Sequence, residues 1–333
     1  MTLCTLGTNG PKVSALGIGA MSFSDFYGPT DQDQSHAILD RAMDTGVTLI
    51  DTSNVYGMGK SELAIGSYLA ARGQAARDHF VICTKAGISR TDEGKRAFDN
   101  SPAHLESELD SSLKRLGVDC VDLFYVHRRE AARPIEEVTE TLARLVAKGK
   151  TRSIGYSEIA PSSLRRAAAV HPIAAVQSEY SLSTRAPELG LVQACADLGT
   201  ALVAFSPVGR SLLTDMPISA ATVAELPFLS GNPRFMAPNY AANIALTAPF
   251  RALAADMGVP AAALAIAWVL HQGAHVLPIP GTRSVAHFNE LLRGTTLTLT
   301  ADDIARIETV LPVGWAHGDR YSDDQWNGPE RFS

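Results

Sequence analysis

Four short apolar runs in this chain each end in a side chain that can hold a proton or a cofactor. Residues 47–50 run into Asp51, 81–84 into Lys85, 123–126 into His127 and 202–205 into Ser206. Tyr56 follows Asp51 by five residues. Hydride arriving at a carbonyl carbon leaves an alkoxide, which must be protonated or stabilised as it forms. A tyrosine can give that proton, but its ordinary pKa of about 10 makes the phenolate hard to regenerate near neutral pH, and a neighbouring lysine cation lowers it. Lys85 is the candidate for that cation, and Asp51 for the counter-charge that holds Lys85 in place and protonated. His127 would add a second hydrogen bond to the substrate oxygen. Each residue alone has a plainer reading, as a turn cap, a loop aromatic, a solvated strand end or one more polar group before Arg128 and Arg129. Their joint occurrence at successive strand ends favours one catalytic unit.

Such a unit needs elements that bring strand ends to one place. The chain alternates apolar strands with amphipathic helices: strand 47–51, helix 61–71, strand 80–85, helix 102–116, strand 121–127, helix 134–148, strand 151–157, helix 161–169, strand 174–179, helix 187–198 and strand 201–206. After a long segment come helices near 245–257 and 260–271, strand 275–280 and helices 284–293 and 300–311. With a first strand at Leu16 to Gly19 and a helix from about Asp33 to Thr45 ended by Gly46, the strands number eight. Eight is the count that closes a (β/α)8 TIM barrel, whose ligands sit at the C-terminal edge of the strands. Gly117 and Gly149 stand where helices should be capped. Thr8-Asn9-Gly10 between two short apolar stretches predicts a β-hairpin that caps one end.

The whole chain, 1–333, is expected to be one α/β domain. Segment 207–243, interrupted by Pro227, Pro233 and Pro238 with Gly231 and Asn232, is expected to be an irregular loop covering the cofactor. The C-terminal tail 312–333, with Trp315, Tyr321 and Trp326, is expected to lie against the barrel surface.

A hydrophobic content of 46% with 19% charged residues suits a large core, and a dispersed net charge of −6 offers no footprint for nucleic acid or an anionic membrane. Cys4, Cys83, Cys120 and Cys195 lack any CxxC spacing, which fits a reduced cytoplasmic protein with no metal site. The first residues have no signal-peptide pattern, and the most apolar stretch, Ala261 to Leu270, is about half the roughly 20 residues a membrane span needs. Partners are expected to be small molecules, and the protein a monomer or weak oligomer.

Two short patterns point elsewhere. Asn54-Val55-Tyr56-Gly57-Met58-Gly59-Lys60-Ser61 mimics a phosphate-binding P-loop, but Asn54 replaces its first glycine. Tyr56 and Lys60 mimic the Tyr-xxx-Lys pair of short-chain dehydrogenases, yet Gly57 and Gly59 disfavour the helix that pair needs. Gly17-Ile18-Gly19-Ala20-Met21-Ser22 also lacks the third glycine of a dinucleotide-binding turn.

Asp51-Thr52-Ser53-Asn54-Val55-Tyr56-Gly57, Lys85 after its strand, and Asp122-Leu123-Phe124-Tyr125-Val126-His127 resemble the signature segments of the aldo-keto reductases. The likeness runs from about Leu3 to Leu311 and includes Gly155-Tyr156-Ser157-Glu158, Gln177-Ser178-Glu179-Tyr180-Ser181, Phe205-Ser206-Pro207-Val208-Gly209-Arg210 and Pro278-Ile279-Pro280-Gly281-Thr282-Arg283. The resemblance implies a barrel that binds an extended nicotinamide cofactor without a Rossmann domain, and the Asp, Tyr, Lys, His roles derived above. It implies further that Ser157, Glu158 and Gln177 hold the nicotinamide amide, that Tyr180 or Phe205 stacks on its ring, and that Asp51 touches the ribose. Gly19, Ala20 and Met21, on the first strand end, join the cofactor set. Ser206, Pro207, Val208, Gly209 and Arg210 would wrap the pyrophosphate, and Gly281, Thr282, Arg283, His287 and Glu290 the adenosine end with any 2′-phosphate.

The chain departs from the family pattern in three places. Glu158 stands where many members have Asn, and Glu accepts from an amide NH2 without donating to its carbonyl. His287 and Leu291 replace a common Arg and Asn, so a phosphate clamp would rest mainly on Arg283. NADP(H) is favoured over NAD(H), because Arg283 can pair with a phosphate and no acidic residue is obviously set for a ribose diol. The expected activity is an NADP(H)-dependent interconversion of aldehydes or ketones with alcohols, in a pocket lined by Met21, Phe23, Phe26, Tyr27, Arg128, Arg129 and lid residues. The alternatives are an NAD-dependent sugar or pyridoxal-type dehydrogenase, and a cofactor-binding regulatory protein resembling the potassium-channel beta subunits.

Overall fold

The computed structural model describes residues 2–8, 10–91 and 93–333. Eight parallel strands pair in chain order: Ile18–Gly19, Leu49–Asp51, Val81–Ala86, Leu123–Val126, Ile154–Ser157, Ala175–Glu179, Ala201–Phe205 and Val276–Pro278. The amides of Gly17 and Gly19 donate to the carbonyls of Pro278 and Pro280 at 3.0 Å, which joins the eighth strand to the first and closes the barrel. Helices run on the outside between successive strands, as the sequence periodicity predicts, and Gly46 and Gly117 cap two of them in the left-handed conformation.

The period-two alternation of a strand sorts side chains between two apolar layers. Leu49, Cys83, Leu123, Tyr125, Ala175, Ala201, Val203 and Leu277 point inward and pack on one another. Ile50, Ile82, Phe124, Val126, Ile154, Tyr156, Val176, Leu202 and Ala204 point outward beneath the helices. The hairpin Leu3–Thr5/Lys12–Ser14 plugs the N-terminal end of the barrel with Leu6 and Val13, which join the inner layer. Asn9, in the turn of that hairpin, lies outside the described residues.

The inner layer is filled to contact. A Cβ on Gly155 would stand 2.5 Å from the carbonyl oxygen of Ala175 and 2.7 Å from the ring of Tyr125. Gly155→Val is therefore expected to destabilise the protein by about 1–3 kcal/mol or more, because neither a backbone carbonyl nor a ring at the barrel axis can step aside. Urea denaturation of the two proteins checks this, and an unchanged midpoint would show that the layer is loosely filled.

Two elements differ from the sequence expectation. Segment 207–243 is irregular only in part: short helices form at Ala220–Glu225, Pro227–Ser230 and Asn239–Leu246, the first capped by the Ser219 side chain and the second begun by Pro227, which has no amide to lose there. A second hairpin, Ile88–Arg90/Arg96–Phe98, follows the third strand, its three-residue strands too short to show a periodicity. The tail packs over the C-terminal end of the barrel. Trp315 donates to the carbonyl of Leu182 at 2.8 Å, and the chain beyond it crosses the C-terminal mouth of the barrel. Among the described residues no single helix is long and apolar enough to cross a membrane.

Candidate active site

The parity that points Leu49, Cys83 and Tyr125 inward does the same for the residue two positions further along each strand. Asp51, Lys85 and His127 therefore project into the C-terminal mouth, above the apolar layer. Ser157, Gln177 and Phe205 share this parity on strands five to seven. Tyr56 arrives from the turn after the second strand, held by its own amide to the Ser53 carbonyl and by the Ser61 amide to its carbonyl, both at 3.2 Å.

Lys85 and Asp51 form an ion pair with side chains 0% and 3% exposed. The ammonium also donates to the Thr52 carbonyl at 2.7 Å and to the Tyr56 hydroxyl oxygen at 3.4 Å. The second Asp51 oxygen accepts from Gln177 at 2.8 Å. Burial pulls the Lys85 pKa down, but the charge of Asp51 and the contact with Tyr56 hold it above the ordinary lysine value, so Lys85 stays cationic. His127 meets the Tyr56 ring edge to face at 5.8 Å, and its Nδ1 lies 3.0 Å from the Ser53 hydroxyl. Burial, reinforced by the charges of Arg128, Lys85 and Arg96, holds His127 well below the ordinary histidine pKa, and its ring is neutral near pH 7. A half-buried phenol thus touches a fixed cation and faces an uncharged imidazole, an arrangement that can pass a proton to or from an oxygen placed between them.

This group opens into a cleft of about 1040 Å3. Of the residues the sequence assigns to a cofactor, Gly19, Met21, Asp51, Ser157, Gln177, Phe205, Ser206, Pro207, Val208, Arg210, Gly281, Thr282, Arg283, His287 and Glu290 line it. Four do not. Ala20 is buried at the start of a short 3-10 turn, and Gly209 is buried in a left-handed turn against Ser183. Tyr180 is in the core, its ring 5.6 Å from Trp268 and its hydroxyl on Glu188. Glu158 accepts from Arg320 of the tail at 2.9 Å and from the Glu179 amide at 3.0 Å, and is 0% exposed. Both partners turn its carboxylate away from the cleft.

Arg210 lines the cleft, but Glu179 pairs with it at 2.9 Å, so its charge is already matched. Arg283 donates to the Pro29 carbonyl at 2.7 Å, tying the eighth strand's loop to that of the first. On the other side of the mouth, Met21, Phe26, Tyr27 and Arg128 line the cleft as expected. Phe23 is in the core, and Arg129 is engaged by Glu330 at 2.5 Å. The sequence reading missed Arg90 and Arg96 of the second hairpin, Tyr321 and Gln325 of the tail, and Phe228 of segment 207–243. The tail aromatics were the one usable signal, because large apolar rings in a polar segment need a surface to cover. Lys60 is not beside Tyr56 on a helix. Its helix begins at Lys60 itself, and the side chain pairs with Asp25 at 2.7 Å.

The sequence profile of the Aldo/keto reductase family matches residues 15–312. The chain is 35% identical to aldo-keto reductase yakc of Schizosaccharomyces pombe, whose name specifies NADP(+), over 96% of this chain and 95% of that protein. It is 36% identical to probable aldo-keto reductase 1 of Glycine max, over 98% and 93%. Among solved structures it resembles a glycerol dehydrogenase from Gluconobacter oxydans, with a TM-score of 0.81, 26% identity and coverage of 93% and 94%. An aldo-keto reductase from Bacillus halodurans in its holo form superposes with a TM-score of 0.75, 25% identity and coverage of 98% and 99%. Fold, site and sequence together define an oxidoreductase on a (β/α)8 barrel. The chain belongs to the aldo/keto reductase family.

Proposed function

We propose that this protein is an NADP(H)-dependent oxidoreductase that interconverts aldehydes or ketones and alcohols, with Tyr56 as general acid in reduction and general base in oxidation. The observation that carries this reading is the contact of the Tyr56 hydroxyl with a buried Lys85 cation, itself fixed by Asp51, beside a neutral His127. Lys85 stabilises the phenolate left when the proton moves to the substrate oxygen. Neutral His127 offers a hydrogen bond to the same oxygen without adding a charge that would compete with Lys85.

The residues of the cleft fit an extended dinucleotide. After the seventh strand, Ser206, Arg210 and Ser211 hold positive φ values of 51°, 54° and 84°. Non-glycine residues in that region cost about 1–3 kcal/mol each and gather at ligand clamps. Phe205, Ser157 and Gln177 all line the cleft, which supports Phe205 as the ring that stacks on the nicotinamide and Ser157 and Gln177 as the groups that hold its amide. When bound, the cofactor supplies the hydride in reduction and accepts it in oxidation. NADP(H) rather than NAD(H) is supported by the name of the Schizosaccharomyces relative and by Arg283 at the eighth-strand end.

Arg283→Ala is expected to weaken NADPH by about 1.5–3 kcal/mol more than NADH, the worth of a charge-assisted hydrogen bond to the 2′-phosphate. Because Arg283 also holds the Pro29 carbonyl, a small common loss for both cofactors is expected beneath that difference. Fluorescence titration of both cofactors measures it. Equal losses would make Arg283 purely structural, and tighter NADH binding by the unaltered protein would overturn the NADP(H) assignment.

The same tetrad runs in reverse for alcohol oxidation, the direction that the name of the Gluconobacter relative specifies for that protein. A panel of carbonyls with NADPH and of alcohols with NADP+ tests the activity. Tight NADPH binding with no turnover of any member would favour the regulatory reading instead.

A further inference from the structure

Several cations around the cleft meet a carboxylate, while among the described residues Arg283 at the eighth-strand end and Arg90, Arg96 and Arg128 at the other do not. Lys85 is matched by Asp51, Arg210 by Glu179, Arg320 by Glu158 and Arg129 by Glu330. Asp215 and Glu290 also line the cleft, on the loop after the seventh strand and the helix after the eighth, at the end away from strands three and four.

At that opposite end stands Arg128, one residue beyond His127 and 7% exposed. Its guanidinium donates to the His127 carbonyl at 2.6 Å, to the Ser157 hydroxyl at 3.0 Å and to the Tyr321 hydroxyl at 3.2 Å. All three acceptors are uncharged, and among the described residues the buried Nε has no acceptor. Arg96, from the second hairpin, lines the same end of the cleft and stacks on Phe98 at 5.2 Å. Among the described residues no carboxylate lies within 4.0 Å of either guanidinium. Burial and the neighbouring Arg128 charge both lower the Arg96 pKa, so the two cations repel each other across the cleft. Arg90, which donates to the Gly94 carbonyl, also lines the cleft.

Cations gathered in a concave, partly desolvated wall without counter-charge are costly to fold unless a ligand supplies the anion. Guanidinium groups fit oxyanions with paired N–H donors. We propose that the substrate of this site is an aldehyde, ketone or alcohol bearing an oxyanion, a carboxylate or a phosphate, which Arg128 and Arg96 bind near the reacting carbon. The assignment rests on the reading of the site as a carbonyl and alcohol oxidoreductase. Attachment of Arg128 to the His127 carbonyl fixes the anion subsite next to the proton-transfer group, so the oxyanion and the reacting carbon belong to one small molecule. Arg128 and Arg96 are specificity-determining residues in this scheme and take no part in the proton transfer.

The test uses the NADPH-loaded full chain and three aldehydes that differ in one substituent: 4-formylbenzoate, 4-formylphenyl phosphate and the neutral methyl 4-formylbenzoate. At least one anion is expected to exceed the ester in kcat/KM by about tenfold or more, chiefly through KM, the size of effect a charged hydrogen bond gives. The preferred anion identifies the group. That ratio should collapse towards unity in Arg128→Met, fall in Arg96→Met, and survive in Arg129→Met, where the altered guanidinium is already matched by Glu330. Reading a ratio within each variant cancels any general loss of activity, and Arg96→Met serves alone if Arg128→Met does not fold. Reduction of the ester at a rate equal to or above both anions overturns the proposal and leaves the oxidoreductase reading intact. Failure of all three aldehydes with NADPH, and of the matching benzyl alcohols with NADP+, overturns both.

Discussion

Tyr56→Phe is expected to lower turnover by at least about a hundredfold, the effect typical of removing a general acid, with cofactor affinity nearly unchanged. The change deletes one oxygen atom. That oxygen is the acceptor of the 3.4 Å contact from Lys85, and the ring itself can keep its edge-to-face packing on His127. The loss should therefore fall on kcat and kcat/KM together, the signature of an interaction made only in the transition state. Since His127 is held neutral well below its ordinary pKa by burial and by three neighbouring cations, no compensating acid arises from it near neutral pH. Steady-state kinetics and a cofactor titration on the same preparation decide the matter, and full turnover in Tyr56→Phe would remove Tyr56 from the mechanism.

The second large effect separates two lysines. Lys85→Met should also cost turnover about a hundredfold or more, because the phenolate would lose the cation that makes it accessible. It should in addition destabilise the fold by about 3–5 kcal/mol, since Asp51 would be left as an uncompensated buried charge. Adding Asp51→Asn to Lys85→Met is expected to restore much of the stability and none of the turnover, which distinguishes a chemical role from a structural one. Lys60→Met should do neither. Its side chain is 40% exposed and pairs with an Asp25 that is 60% exposed, an ion pair worth at most about 1 kcal/mol. Thermal unfolding and kinetics of the three variants check the ordering, and a severe Lys60→Met beside a mild Lys85→Met would sink the tetrad.

Much of the site was legible because strand geometry is local. Alternation along 49–51, 81–86 and 123–127 is enough to say that Asp51, Lys85 and His127 share a face with Leu49, Cys83 and Tyr125. Chain-order pairing then sets these strand ends side by side. The second hairpin escaped the sequence reading because three residues per strand carry no period to detect. Segment 207–243 was read as irregular from its prolines, although a proline at the first turn of a helix is compatible with it.

The sequence by itself determined the barrel and the four residues at its mouth, since each follows from short apolar runs and the polar residues that end them. What only the tertiary structure decided is which charges meet. Glu158 sits in a family cofactor position, yet it is taken by Arg320, 162 residues away in the chain. Arg210 is matched by Glu179, Arg129 by Glu330, and Tyr180 is withdrawn against Trp268, while Arg128 is left among neutral acceptors. A buried charge takes whichever counter-charge the packing brings within about 4 Å, and the local pattern of residues around it does not say from which distant segment that partner comes.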